Sequence, residues 1–357
     1  MTRLIFHAGT HKTGTTAIQG VLAENRDLLA ERGIYYPHIW MHFGRAPESR
    51  SSNAHFTVAN AIANDTPDTQ AALDRFLSDL REKSSAFDCI LLSAETAYRL
   101  TTKPSLAGRI SDRQRRRAYV ERLARTFKDF DSEIVLYFRR PDSFATSLYS
   151  ENVVRGSNIE FERFLAKKQF RFDYRFQIDL FKEFFPTRSY VYETAASDGL
   201  INRFFSDNEL GTPPEPEPAP LRVSVSNGAT RWIQRANAET KDASRIQRAR
   251  WFFALQPENR ALFGHGPTTF WNSVEQRDAF VEQYTSDVFE LTFPACDPQL
   301  PPLSTWSDAE HDAANEAFKN WMKDNRSLLR KREMSVRIHR MCIARRRRRV
   351  VQRNSRT

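Results

Sequence analysis

His7-Ala8-Gly9-Thr10-His11-Lys12-Thr13-Gly14-Thr15-Thr16-Ala17-Ile18-Gln19 decides how this chain is read. Leu4 to Phe6, just before it, form a short apolar strand, and a helical pattern opens near Thr15. Two glycines, Gly9 and Gly14, let the backbone turn tightly between them. The first amides of a helix have no acceptor within it and carry the positive end of its dipole, so a strand, glycine-rich turn and helix in this order form a cradle for an anion. Lys12 adds a full positive charge, and Thr13, Thr15 and Thr16 add hydroxyl donors.

A second segment has the same architecture. Glu133 to Phe138 contains the apolar run Ile134-Val135-Leu136-Tyr137-Phe138, followed by Arg139, Arg140 and Pro141 and then a helical pattern. Proline suits the first turn of a helix, so Arg139 falls at the strand end and Ser147 on the second turn. The forked donors of Arg139 suit two oxygens of one phosphate. Further apolar runs stand at 34–36, 89–92 and 190–192, with helical patterns at 15–32, 70–83, 113–130, 142–154, 160–168 and 174–185. Continuous apolar strands alternating with helices predict an α/β fold whose parallel sheet is flanked by helices on both faces. Ligands then gather beyond the carboxyl ends of the strands, where both anion loops lie.

Residue order narrows the anion. The loop of nucleotide triphosphatases needs Lys directly after its second glycine and Ser or Thr next, for magnesium; here Lys12 precedes Gly14, and Thr15 stands where that lysine belongs. Lys-Thr-Gly-Thr-Thr after a strand resembles the 5′-phosphosulfate loop of sulfotransferases that use 3′-phosphoadenosine 5′-phosphosulfate (PAPS), in particular bacterial, carbohydrate-sulfotransferase-like members. Arg-x-Pro with a serine eight residues after the arginine resembles their 3′-phosphate site, and Arg139 and Ser147 fall on its two positions. Residues 25–37 (NRDLLAERGIYYP) and 172–193 (FDYRFQIDLFKEFFPTRSYVYE) extend the likeness, which covers roughly residues 1–210. The resemblance implies a P-loop nucleotide-hydrolase-like fold, PAPS as co-substrate, adenosine 3′,5′-bisphosphate (PAP) as product and no metal. It assigns Lys12, Thr13, Gly14, Thr15 and Thr16 to the 5′ end of the donor, Arg139 and Ser147 to its 3′-phosphate, and Tyr192 to the neighbourhood of adenine. The aromatic residue that often follows the two threonines in that family is Ala17 here.

An acceptor hydroxyl needs a base. Glu95 follows the apolar strand Cys89–Leu92, and glycan-modifying members similarly place a glutamate after a strand; a carboxylate there suits proton removal. His55, after a polar loop, is the rival, because imidazole titrates near neutrality. His7 and His11 flank the cradle and are given no catalytic step.

Composition bounds the rest. The chain has 357 residues, 40% of them hydrophobic, long enough for one large α/β domain over 1–325, with a mainly helical section from about 220 and a basic tail at 326–357. Three cysteines, far apart, indicate neither a disulfide framework nor a zinc site. The absence of a long apolar run and of a signal-peptide pattern leads to the expectation of a cytoplasmic protein. Of the formal charge of +10, the tail alone carries +12. Its Arg345–Arg349 run is a candidate for contact with an anionic membrane surface or polymer, and no specific nucleic acid is expected. The expected activity is transfer of a sulfuryl group from PAPS to a hydroxyl on a carbohydrate or cell-envelope molecule. The alternatives are a nucleotide kinase or triphosphatase, and a non-catalytic nucleotide fold that binds an anionic polymer through its tail.

Overall fold

The computed structural model describes residues 1–10, 12–43, 54–64, 66–102, 111–214, 225–239, 244–264 and 268–325. The basic tail with Arg345–Arg349, the residue His11 and most of the loop before His55 lie outside the described residues.

Five strands form one wholly parallel sheet: β1 (Arg3–His7), β2 (Ile34–Tyr35), β3 (Cys89–Ser93), β4 (Asp131–Phe138) and β5 (Thr187–Val191), in the order β2-β3-β1-β4-β5. Four strands follow their apolar runs, and helices cover both faces, which keeps β3 as far as Leu92 and the last five residues of β4 apolar throughout; β5, at the sheet edge, opens on the polar, half-buried Thr187-Arg188-Ser189 and shares only Tyr190 and Val191 with its run. On one face Ile5, Leu91, Val135 and Tyr137 pack against Ile18, Val21 and Leu22 of the helix Thr15–Glu24 and against Phe204 and Phe205 of the helix Leu200–Asp207. On the other, Phe6 meets Phe127 at 5.8 Å between ring centres, and Phe138 meets Tyr98 at 5.9 Å and Tyr174 at 4.7 Å.

The strand order creates a crevice. The chain leaves β1 toward the β2 edge and leaves β4 toward the β5 edge, yet β1 and β4 are neighbours. Connections departing in opposite directions from adjacent parallel strands open a gap beyond their carboxyl ends, the usual ligand position in such sheets. The cradle follows β1 and Arg139 follows β4.

Three details differ from the sequence reading. The pattern at 15–32 is two helices, Thr15–Glu24 and Arg26–Glu31, separated at Asn25, whose side-chain amide donates to the Val21 carbonyl at 2.8 Å. Tyr192 does not end a strand but opens the helix Tyr192–Ser197. A helix absent from the expectations, Phe56–Asn64, directly follows His55.

The chain divides into two compact units. One comprises Met1–Tyr149, Phe161–Arg222 and Trp271–Gln299 and contains the sheet; the other comprises Ser150–Glu160, Val223–Phe270 and Leu300–Thr357. The second unit has its own aromatic core, in which Trp232 packs against Phe253, Phe263 and Phe318. The section after 220 is thus divided: Trp271–Gln299, with the helix Val274–Thr285, belongs to the sheet unit.

Candidate functional site

The β1–β4 ladder runs on into the cradle. Ala8 N–H donates to the Val135 carbonyl and Thr10 N–H to the Tyr137 carbonyl, both at 2.9 Å. Gly9 lies between them so close to β4 that a Cβ there would stand 2.8 Å from the Tyr137 nitrogen and 3.0 Å from its carbonyl oxygen. Thr10 Oγ1 donates to the Tyr137 carbonyl at 3.1 Å and Thr13 Oγ1 to the Thr10 carbonyl at 2.7 Å, which fixes the loop from within. Gly14 has φ +69°, and Lys12, which is not a glycine, has φ +71°. A side chain in that region costs roughly 1–2 kcal/mol, and such strain collects at ligand sites. Backbone signs that alternate through Lys12, Thr13 and Gly14 turn successive amides toward one side, as in anion-binding nests. The helix then starts at Thr15, buried through Thr15, Ile18, Gln19 and Leu22, one stripe at helical spacing. Thr15 is nearly buried, whereas Thr16 is exposed at the helix mouth.

The second segment meets the first. Arg139 Nη1 donates to the Lys12 carbonyl at 3.2 Å, and its Nε donates to Ser143 Oγ at 2.7 Å. Tyr174 Oη donates to the Arg139 carbonyl at 2.6 Å, so the residue is held at both its backbone and its head. The guanidinium lies 5.7 Å from the centre of the Tyr192 ring, and Tyr192 in turn lies about the Gly14 turn, where a Cβ would be 3.5 Å from its Cε2. Lys12, Gly14, Arg139 and Tyr192 therefore converge. Arg140 is directed elsewhere, paired with the buried Asp142 at 2.7 Å and donating to the Ala295 carbonyl at 2.7 Å.

Two residues beside Arg139 were given no role from sequence. Ser143, not Ser147, touches Arg139; Ser147 sits on the same face of the helix Pro141–Val154, one turn further along. Glu193 accepts from the Arg140 N–H at 3.0 Å and lies 3.9 Å from Arg139 Nε. Burial pushes its carboxyl up, against the pull of the Arg140 amide and the two arginines. The sequence signal for Ser143 was its place four residues along from Arg139; for Glu193 it was the Tyr192-Glu193 pair after the last apolar run, which resembles a Tyr-Glu pair of those sulfotransferases.

The two base candidates have different surroundings. Glu95 opens the short turn Glu95–Tyr98 after β3 and is partly exposed, and its Oε2 accepts from Gln19 Nε2 at 3.0 Å. The same Gln19 nitrogen donates to Ser93 Oγ at 3.1 Å, and Ser93 Oγ is 3.0 Å from His7 Nδ1. His55 is wholly buried, and both ring nitrogens belong to the fold: Nδ1 accepts from the Ser93 N–H at 3.0 Å, which leaves Nε2 to donate to the Pro37 carbonyl at 3.2 Å. Burial pushes its pKa down to about 3. A neutral imidazole with its lone pair and its proton both committed has nothing to offer a substrate, so the assignment of His55 as a base is corrected to a support for the end of β3.

A cavity of about 410 Å³, lined by Ser111, Arg113, Gln169, Phe170, Asp173 and Tyr284 among others, shares none of these residues. Among the described residues no group of three or more His, Cys, Asp or Glu side chains is arranged to hold a metal ion, and no helix is long and apolar enough to cross a membrane. No family model, curated protein or solved structure matches the chain.

Proposed function

We propose that this chain is a PAPS-dependent sulfotransferase, with a sheet of the P-loop nucleotide-hydrolase kind, that moves the sulfuryl group to a hydroxyl on a carbohydrate or cell-envelope molecule and releases PAP. The observation that carries the reading is the 3.2 Å bond from Arg139 to the Lys12 carbonyl, which brings the two anion-binding segments to one crevice, as a donor with phosphates at both ends of its ribose requires. Thr13, Gly14, Thr15 and Thr16 hold the 5′-phosphate through amides and hydroxyls. Arg139, oriented by Ser143, holds the 3′-phosphate, with Ser147 further along the same face, and Tyr192 borders the nucleoside.

In the reaction the acceptor oxygen forms a bond to sulfur as the bond from sulfur to the 5′-phosphate oxygen breaks. The departing phosphate gains negative charge, which Lys12 neutralises, and the hydroxyl proton passes to Glu95. Loss of a preorganised donor of this kind commonly costs about a hundredfold or more in turnover. The test is incubation with sulfur-35-labelled PAPS and a fractionated envelope extract, beside calorimetry with PAP. Labelled product and PAP binding are expected, with turnover in Lys12→Ala lower by about a hundredfold. Near-normal turnover in that variant, or magnesium-dependent turnover of ATP in place of sulfate transfer, overturns the proposal.

A further inference from the structure

Gln19 is a polar side chain on the buried stripe of the cradle helix, 5% exposed. An amide placed there without partners costs about 1–3 kcal/mol, so its bonds define its role. Nε2 has two hydrogens, and both are used, one on Ser93 Oγ at 3.1 Å and one on Glu95 Oε2 at 3.0 Å. The amide cannot be turned over, because its oxygen would then face a carboxylate. Ser93 ends β3 and reaches His7 of β1 at 3.0 Å. A single chain of hydrogen bonds thus runs from β1 through β3 to the helix that begins at the cradle, and from there to the carboxylate that follows β3.

We propose that Gln19 is a positioning residue that couples the donor cradle to the base: an anion bound at Lys12–Thr16 steadies the helix Thr15–Glu24, and Gln19 passes that order to Glu95. The inference rests on the reading of Lys12–Thr16 as the donor site and Glu95 as the base. A neutral amide suits this role better than a cation. It fixes the carboxylate in direction, while an arginine or lysine in its place would hold the same oxygen by a full charge and make it a poorer proton acceptor. The rest of the chain is neutral too, since His7 is wholly buried and its imidazole is pushed down to about 3.

Hydrogen–deuterium exchange of the full chain with and without PAP tests this. In the wild type, PAP is expected to slow exchange both at 13–18 and at 95–100, the second by about fivefold or more, the lower range of coupling between sites. Gln19→Met matches glutamine in size but cannot donate to Glu95, and Gln19→Glu, in its ionised form, sets a second carboxylate against it. Each is expected to keep the first protection and lose the second. The double variant Gln19→Glu with Glu95→Gln exchanges donor and acceptor across the same gap and is expected to restore the second protection, which a space-filling role would not predict. Equal protection of 95–100 in wild type and both single variants, or no restoration in the exchanged pair, overturns the inference while leaving the donor reading intact. If PAP protects neither segment of the wild type, the donor reading itself fails, and the inference with it. Melting temperatures of all variants distinguish lost coupling from lost fold.

Discussion

Acid loosens this fold through two imidazoles. His7 and His55 are wholly buried, and burial pushes each from an ordinary 6.5 down to about 3. In the unfolded chain both titrate near the ordinary value, so between 6.5 and about 3 the unfolded state binds protons that the native state refuses. Stability is therefore full above that window and falls as pH descends through it. One fully shifted group contributes a little over 1 kcal/mol per pH unit, so the pair contributes about 3 kcal/mol per unit, or about 4 kcal/mol by about pH 5. That is a large share of a typical folding free energy of about 5–15 kcal/mol. His55 has no route of relief within the fold, because protonating Nδ1 would break its bond from the Ser93 N–H. The assay is urea unfolding at constant ionic strength between about pH 7 and about pH 5, for the wild type and for His55→Asn, whose amide oxygen can accept from Ser93 but does not titrate. The variant is expected to be less stable at neutral pH and to lose about half of the slope. Parallel slopes in the two proteins would refute the reasoning.

Three further substitutions probe the site and its supports. Gly9→Ala places a methyl 2.8 Å from the Tyr137 nitrogen, and forcing the cradle from β4 costs about 1–3 kcal/mol in urea unfolding, with PAP affinity falling too; an unchanged unfolding midpoint contradicts the close approach. Arg139→Lys keeps the charge but cannot span Ser143 and the Lys12 carbonyl with a fork, so calorimetry with PAP is expected to show affinity lower by about tenfold or more. Arg116 is wholly buried and donates to the Ala97 and Leu100 carbonyls and to Gln177 Oε1; Arg116→Leu leaves all three without that donor, at about 3 kcal/mol or more by thermal melting.

What sequence could tell depended on whether the signal was local. The turn Lys12–Gly14 and the strand end at Arg139 were legible because a strand, a turn and a helix start are consecutive in the chain, and four apolar runs stood out because a sheet covered on both faces needs apolar strands; of the edge strand β5 only Tyr190 and Val191 showed, since Thr187, Arg188 and Ser189 are polar. The helix Phe56–Asn64 was passed over: Val58, Ala59, Ala61, Ile62 and Ala63 are buried, and its polar stripe is only Thr57, Asn60 and Asn64, too short a run to stand out beside the polar loop before it. Tyr192 continued an aromatic and β-branched run, and only the turn away from the sheet made it helical. Ser143 and Ser147 share a face, and spacing cannot choose between neighbours one turn apart. Gln19 and His55 depended on β3, reached across 74 and 38 residues, and no local pattern announces such partners.

Topology accounts for the meeting of Lys12 and Arg139, which are 127 residues apart in sequence. Had β4 been added at the far side of β2, the two loops would end at separate edges of the sheet. Placing β4 beside β1 makes the ends of the two strands neighbours, and the opposite departure of their connections keeps the space between them open. Arg139 then binds the carbonyl of a residue held at φ +71°, a conformation that the isolated loop would disfavour by roughly 1–2 kcal/mol. A hydrogen bond from a charged donor contributes a net of about 1.5–3 kcal/mol, enough to offset that strain. The segment after β4 therefore shapes the loop after β1. Replacing Arg139 accordingly affects both ends of the crevice, even though only one of them is its own.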